Sequence, residues 1–290
     1  MIDLHTHSTA SDWEYSPEIL VQMAKDANLT AFSVSDHDTI EWSILAVQRG
    51  KEIGIQVISA IEISASFRWK ALHILGYDFD PTNTGLIKTL WDIGIYRKNR
   101  IQTMMTNINQ ELIVDSMEPI DIDSILKLGI EKPIMRVDLA EYLLSNGYAK
   151  TLQEAFDRWL NRHNIPNRDL SVKQAIDMIH SAGWVAVLAH PGAQSISLHA
   201  ITSDLDEQVK IIMDFQSEWL DGLEVYKYNQ DKEIEKKYLE IANSLGLVAT
   251  GWSDFHGPRI IGSAPGIWCN NAPDDLISCI LEISSKKKNL

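Results

Sequence analysis

The chain has 290 residues, 45% of them hydrophobic and 23% charged, a composition that predicts a packed globular fold and excludes intrinsic disorder. Its formal net charge of −14 argues against broad electrostatic binding to nucleic acid or to an anionic membrane. The two cysteines, Cys269 and Cys279, show no zinc-knuckle or disulfide spacing, and no apolar run approaches the ~18 residues of a membrane helix. We therefore expect a cytoplasmic protein that does not bind membranes.

The first predicted strand leads directly into a His-x-His motif, His5-Thr6-His7. Alternate side chains of an extended strand point to the same side, so these two rings should project together, as two ligands of one metal ion would. Asp12 follows in a turn rich in serine and threonine that could bring its carboxylate back toward them. The alternative is that both histidines are ordinary surface residues. We favour a metal site, because similar side chains follow several later strands.

The remaining chain alternates strands with helices, which predicts parallel βα units. Predicted strands cover residues 31–35, 56–61, 71–77, 184–189, 222–226, 247–250 and 266–269. Between residues 81 and 168 the periodicity is helical instead, with helices predicted over 86–112, over 136–146 and from a capping box at Thr151 to about residue 162. A second capping box at Ser171 begins the helix at which the βα pattern resumes. We predict a domain of residues 1–80 and 169–290, interrupted by an inserted helical subdomain of residues 81–168.

Six of the nine histidines lie at or beside predicted strand ends, together with three carboxylates. These nine residues are His5, His7, Asp12, His37, Glu62, His73, His190, Asp254 and His256. In closed α/β barrels the active site lies at the carboxyl ends of the strands. Histidine and carboxylate without cysteine suit manganese, iron or zinc. Nine ligands exceed the needs of one ion, so we predict two or three ions, two of which Glu62 could bridge.

Other polar residues receive structural assignments. Asp36 and Asp38 flank His37, and we expect them to orient its ring or to cap the following helix. His163, His180 and His199 lie away from the strand ends, and we expect them to be structural or surface residues.

The joint motif set resembles the PHP (polymerase and histidinol phosphatase) superfamily. The residues that carry the resemblance are Asp3-Leu4-His5-Thr6-His7-Ser8 with Asp12, Asp36-His37-Asp38, Glu62, His73, Ala189-His190-Pro191 and Ser253-Asp254-Phe255-His256-Gly257. The helical insertion is similar to the branch of nucleotide phosphatases that act on 3',5'-bisphosphonucleotides or AMP, with relatives that trim short 5'-phosphorylated RNA. The resemblance implies an α/β fold, a distorted (β/α)7 barrel of PHP type, with the insertion as substrate-binding subdomain.

The resemblance also implies a trinuclear site, and of manganese, iron and zinc we expect manganese. One ion would be held by His5, His7, Glu62 and Asp254, a second by Glu62, His73 and His190, and a third by Asp12, His37 and His256. The implied chemistry is phosphoester hydrolysis by a metal-bridging hydroxide, with Asp12, His37, Asp254 and His256 acting at the reacting phosphate. The substrate would be a small phosphorylated molecule of nucleotide size. A long nucleic acid would need an extended basic groove, which the sequence lacks.

Three arginines of the insertion are candidates for binding the substrate phosphate. Arg97 continues an apolar stripe of the long helix and Arg100 lies beside it, which suggests a role beyond solvation. The resemblance places phosphate-binding arginines in this helix and at Arg136. Salt bridges to the many carboxylates are the alternative for Arg97 and Arg100.

The chain departs from the branch at three places. It has Val137-Asp138 after Arg136 in place of Pro-His, lacks His-Ser after Tyr226, and has Trp252 in place of a glycine before Ser253. These differences leave the exact substrate open. Two other functions compete: a histidinol-phosphate phosphatase, whose relatives usually lack the insertion, and a non-catalytic PHP binding module, which would be expected to have lost ligands.

Overall fold

The computed structural model describes residues 1–9, 11, 15–128, 134, 136–227, 231–254, 272–273 and 275–288. The chain divides into two compact units, Met1–Lys88 with Asp169–Leu290, and Thr89–Arg168. The sequence placed the start of the insertion at residue 81. In the structure the segment before Lys88 stays with the first unit, where the Asn83 side chain donates a hydrogen bond to the Ser181 carbonyl oxygen at 3.0 Å.

The first unit contains two β-sheets within the described residues. The strands are β1 (Ile2–Asp3), β2 (Ala31–Phe32), β3 (Gln56–Val57), β4 (Ala60–Phe67), β5 (Lys70–Tyr77), β6 (Leu170–Ser171), β7 (Val185–Leu188), β8 (Gly222–Lys227) and β9 (Val248–Trp252). Strands β1, β2 and β3 form a parallel sheet, and the second sheet has the order β6-β4-β5-β7-β8-β9. The predicted α/β class is confirmed, and the strand predicted at 266–269 lies outside the described residues.

Backbone contacts join the two sheets on both sides. The amide of Leu4 donates to the carbonyl of Gly251 at 3.4 Å, which links β1 to β9. On the other side, a parallel bridge between His37 and Glu62 links the chain after β2 to β4. These contacts place the carboxyl ends of the parallel strands at one end of the unit. Closure into a seven-stranded barrel stays a prediction, because the described residues join the two sheets by single hydrogen bonds and one bridge instead of a continuous strand pairing.

The expectation of parallel βα units is wrong for β5, which runs antiparallel to both β4 and β7. The cause is the two-residue connection Arg68-Trp69, whose φ angles of 48° and 66° form a tight turn. Two central residues with positive φ are typical of a type I′ turn, which matches the twist of the strands it joins in a hairpin. As a result, Glu62 and His73 lie inside a hairpin instead of at two parallel strand ends.

Helices pack against the strands of the first unit and build the second unit. They are α1 (Pro17–Asp26), α2 (Glu41–Ile53), α3 (Thr84–Val114), α4 (Ile122–Leu128), α5 (Arg136–Ser145), α6 (Leu152–Glu154), α7 (Val172–Ser181), α8 (Leu198–Ile201), α9 (Leu205–Ser217), α10 (Lys232–Leu245) and α11 (Leu276–Lys288). Helix α7 begins with the predicted capping box, in which Ser171 and Gln174 exchange both hydrogen bonds. None of the helices in the described part of the chain could cross a membrane.

The second unit has its own apolar core and, among its described residues, no strand. The stripe of α3 formed by Ile101, Met104 and Ile108 is fully buried in that core, as the helical periodicity predicted. At Thr151 the capping box is incomplete, because the Glu154 carboxylate accepts from the amide of Lys150 instead of Thr151. The helix predicted from there to residue 162 is a short α6 that continues as a π-helix over Ala155–Leu160.

Candidate metal centre

His5 and His7 follow β1 with both rings fully buried. Their Nε2 atoms lie 3.2 Å apart, so the two rings do project to the same side, as the alternation predicted. Thr6 between them points away, and its hydroxyl donates to the carbonyl of Ser33 at 2.7 Å. The pairing of the first strand with its neighbour therefore aims the two rings.

Glu62 lies at the centre of the candidate site and is 1% exposed. Its two carboxylate oxygens lie 2.7 to 3.2 Å from one ring nitrogen each of five histidines, namely His5, His7, His37, His73 and His190. Oε2 faces the first three rings and Oε1 the last two. A carboxylate that directs one oxygen toward each of two groups of histidine rings has the geometry expected of a residue that bridges two ions.

Seven of the nine predicted ligands are described, and all seven come together. They form three overlapping sets whose ligand atoms lie within 4.8 Å of one another: His5, His7 and Asp254; His7, His37 and Glu62; and Glu62, His73 and His190. The first and third sets correspond to two of the predicted ion sites. Asp12 and His256, predicted for the third ion, lie outside the described residues. His37 joins the set around Glu62, and its binding of a third ion together with Asp12 and His256 stays a prediction.

The charges in the cluster depend on one another. Burial alone would raise the pKa of Glu62, but the surrounding rings of His73, His5 and His37 hold it well below its usual range. Burial alone would lower the pKa of His5, yet the carboxylates of Glu62 and Glu224 outweigh it and raise the pKa to about 10. The lowered pKa of Glu62 favours its ionised form, as metal binding requires, whereas the raised pKa of His5 means that a metal ion bound there displaces a proton from the ring.

The donor set fits divalent metal ions. Oε2 of Glu62 is buried and makes no hydrogen bond within the described part of the chain, although three ring nitrogens surround it at 3.1 to 3.2 Å. A buried carboxylate oxygen left without a donor normally costs free energy. Cations between the oxygen and the rings would remove this cost, and imidazole with carboxylate is a ligand combination that such ions accept.

Glu224 in β8 is a functional candidate that the sequence reasoning missed. It is fully buried, and its carboxylate oxygens lie 3.0 and 3.2 Å from Nδ1 of His5. Its Oε2 also accepts from the backbone amide of His190 at 2.7 Å. A carboxylate on the outer nitrogen of a ligating histidine fixes the ring orientation and its tautomer. Its sequence signal was a charged residue in the middle of the apolar strand Gly222–Tyr226.

Further carboxylates hold the loops around the cluster. Asp36 accepts hydrogen bonds from the amide and hydroxyl of Ser8 and from the hydroxyl of Ser11. Asp38 accepts from the amide and hydroxyl of Ser64. The expectation that either residue caps α2 is wrong, because Ile40 occupies the N-cap. Both fix the segments that flank His37.

Three non-glycine residues of this region have left-handed backbone conformations: Asp38, His190 and Asp254, with φ of 50°, 30° and 51°. Such conformations cost free energy and persist where the surrounding structure imposes them, commonly at functional sites. At His190 the imposed contact is visible, because Glu224 holds its amide.

The three candidate arginines belong to the second unit. Arg100 is buried, donates from Nε to the carbonyl of Ile165, and donates from Nη2 to the side chain of Asn164 at 3.0 Å. Arg136 donates to the side chain of Asn161 at 2.7 Å, and burial lowers its pKa. Arg97 is half-buried on α3. Their proposed contact with a phosphate stays a prediction.

The remaining histidine assignments agree with structural roles where contacts are described. His163 lies 2.8 Å from Glu111 within the second unit. His180 lies 3.0 Å from Asp221 in the first unit. Neither belongs to the cluster around Glu62.

Comparison with known proteins gives a consistent picture. A family model described as the PHP domain matches residues 3–165. A 5'-3' exoribonuclease of Haemophilus influenzae is 29% identical over 259 residues, which cover 88% of this chain and 90% of that protein. A 3',5'-nucleoside bisphosphate phosphatase of Chromobacterium violaceum is 26% identical over 260 residues, which cover 89% of this chain and 87% of that protein.

A solved structure from Bifidobacterium adolescentis, assigned as a metal-dependent phosphoesterase, has a similar fold. The two structures superpose with a TM-score of 0.76 at 28% sequence identity, over 97% of this chain and 96% of the other. The similarity extends beyond the segment matched by the family model, since it covers both units of the chain.

Proposed function

Because this chain belongs to the PHP domain family and is a metal-dependent phosphoesterase, we propose that it hydrolyses a phosphoester of a nucleotide-sized substrate. The candidate substrates are a 3',5'-bisphosphonucleotide, AMP and the 5' end of a short RNA. The observation that carries the proposal is the cluster around Glu62, where five histidine rings meet one carboxylate. The nucleotide class is supported by the relatives, which are named a bisphosphate phosphatase and an exoribonuclease.

We assign the described ligands to two ions. His5, His7, Glu62 and Asp254 would hold one, and Glu62, His73 and His190 would hold the other. His37, with Asp12 and His256, would complete a third site, and manganese is the ion we expect. When bound, such ions supply positive charge for the phosphoryl oxygens and activate water. This explains how a chain of net charge −14 could attract a phosphate.

The side chains of the cluster differ in exposure, and this difference indicates where a phosphate could enter. His5, His7 and Glu62 have side chains that are at most 1% exposed, whereas that of Asp254 is 26% exposed and that of His73 is 12% exposed. The buried residues would fix the ions in place. The partly exposed ones would border the open side, on which the phosphate contacts the ions and the leaving group departs into solvent.

The two competing functions have less support. An all-helical second unit, in its described part, is the insertion that relatives acting on histidinol phosphate usually lack. A non-catalytic module would be expected to have lost ligands, whereas the seven described ones converge. We also expect the protein to act in the cytoplasm, in keeping with its sparse cysteines.

The test is chromatography of the products after the manganese-loaded protein is incubated with adenosine 3',5'-bisphosphate. We expect AMP and phosphate, and we expect both to be lost in a His37→Ala variant. A His180→Ala variant is the matched control, because that histidine lies in the same unit, 3.0 Å from Asp221, and belongs to none of the three ligand sets. If the wild-type protein releases nothing from the bisphosphate, from AMP or from a short 5'-phosphorylated RNA, the proposal is wrong.

A further inference from the structure

The hairpin formed by β4 and β5 extends past the candidate metal centre. Glu62 lies near the start of β4, and His73 lies opposite Ser64 in the register of the hairpin. The parallel bridge to His37 means that β4 runs in the same direction as the strands whose carboxyl ends carry the other ligands. The residues after Ser64 therefore lie beyond the ligands, on the outer side of the site.

One face of this hairpin continues from the metal centre to the tip. Side chains alternate along a strand, so Ala71 shares the face of His73. The register places Ser66 opposite Ala71 and Ser64 opposite His73 on the same face. Ala71 is exposed, and both serines are half-buried. We call Ser64, Ser66 and Ala71 the hairpin shelf: a row of small side chains between His73 and the tip of the hairpin.

The shelf ends at Trp69, whose side chain is fully exposed. Its φ of 66° is a conformation that glycine and asparagine adopt most readily, so neither the backbone nor burial accounts for a tryptophan here. Arg68 and Lys70 flank it, giving an Arg-Trp-Lys tip in a chain of net charge −14. Aromatic rings between cations are the combination that single-stranded nucleic acids contact by base stacking.

The tip is held in place. Arg68 donates to Glu207 at 2.6 Å and lies over the ring of Phe67, 5.0 Å from its centroid. Phe67 in turn makes an edge-to-face contact with Phe215 of α9, with ring centroids 5.0 Å apart. A turn held in this way can present the exposed indole to a base without first becoming ordered.

We propose that Trp69 stacks on a base of a short 5'-phosphorylated single-stranded oligonucleotide whose terminal phosphate lies at the metal centre. The proposal rests on the proposed function. Trp69 precedes His73 by four positions, about 13 Å along an extended strand. At this separation the indole meets a base downstream of the terminal nucleotide, while a mononucleotide ends on the hairpin shelf. Trp69 therefore favours short RNA over mononucleotides as the substrate.

The experiment measures binding of a fluorescein-labelled pentaribonucleotide that carries a 5'-terminal thiophosphate and phosphorothioate linkages, so that both the terminal ester and the linkages resist hydrolysis. Binding is followed by fluorescence anisotropy on the manganese-loaded protein. Trp69→Ala should weaken binding about tenfold, and Trp69→Phe should retain most of it. Trp219→Ala is the matched control. Trp219 is also exposed and has a φ of 73°, but it precedes β8 and so lies at the amino end of that strand, whereas the ligands follow the carboxyl ends.

Hydrolysis of adenosine 3',5'-bisphosphate by the same variants separates the two proposals. Trp69→Ala should leave this reaction unchanged, because the mononucleotide does not reach the indole. If the wild type binds no pentanucleotide, or if Trp69→Ala binds it as well as the wild type does, the stacking role is refuted while phosphatase activity can persist. Absence of hydrolysis by the wild type with every substrate, despite binding that depends on Trp69, would instead refute the proposed function alone.

Discussion

Glu224 offers the sharpest test of how the fold supports the metal centre. The perturbation is Glu224→Gln, which keeps the size of the side chain and removes its charge. In the structure the carboxylate contacts Nδ1 of His5 at 3.0 and 3.2 Å and accepts from the amide of His190 at 2.7 Å. The substitution therefore weakens the support of one ligand ring and of the backbone that carries another.

Carboxylates behind metal-binding histidines typically contribute 10- to 100-fold to metal affinity, about 1.4 to 2.8 kcal/mol. We expect the loss of metal affinity in Glu224→Gln to lie in this range, and the loss in Glu224→Asp to be smaller. The shorter aspartate keeps the charge but loses reach toward one of its two partners. Both substitutions should change the metal content of the protein more than they change its Michaelis constant.

The assay is metal content after dialysis against a series of chelator concentrations, with circular dichroism to confirm that each variant is folded. Glu240→Gln is the matched control, since that carboxylate lies on the surface of α10 and its side chain is 66% exposed. A Glu224→Gln variant that binds metal as tightly as the wild type would refute the role given to this carboxylate.

Three further predictions concern the core, the ions and the insertion. Gly76→Ala should destabilise the protein by about 1–3 kcal/mol in urea unfolding, because its new methyl group would lie 2.5 Å from the ring of Trp184. Gly94→Ala on α3 is the control and should stabilise the protein by about 0.5–1 kcal/mol, because nothing lies within 4 Å of its new methyl group. Equal changes in unfolding free energy for the two variants would contradict the packing described at Gly76. Removal of metal with a chelator should abolish hydrolysis and lower the melting temperature, both restored by manganese, and activity that survives complete removal would contradict a metal mechanism. Arg136→Ala should raise KM about tenfold with metal content unchanged, and a fall in metal content would show that the arginine supports the centre instead of the phosphate.

Much of the candidate site could be read from the sequence because its signals are local. The alternation in His5-Thr6-His7 requires only an extended backbone to bring the two rings together. Likewise, the helical stripe of Ile101, Met104 and Ile108 and the capping box at Ser171 act within one or two turns of helix. These features were confirmed, since each depends on neighbouring residues of one strand or one helix.

The hairpin shows where local signals were insufficient. The segments 56–61 and 71–77 were both recognised as strands, but their composition carries no information about relative direction. The direction depended on two residues, Arg68 and Trp69, that adopt positive φ without being glycine or asparagine. The consequence is functional, because it places Glu62 within the hairpin and Trp69 beyond the ligands.

Contacts between distant residues were decided by the tertiary structure alone. Glu224 meets His5 across 219 residues of sequence, and His190 meets Glu62 across 128. A buried charge reveals in sequence only that it needs a partner, whereas strand order and register select which one it meets. The sequence thus determined which residues could bind metal, through their chemistry and local spacing. The fold determined that Glu62 lies at the centre and Glu224 behind it, because only packing brings groups so far apart in sequence within hydrogen-bond distance.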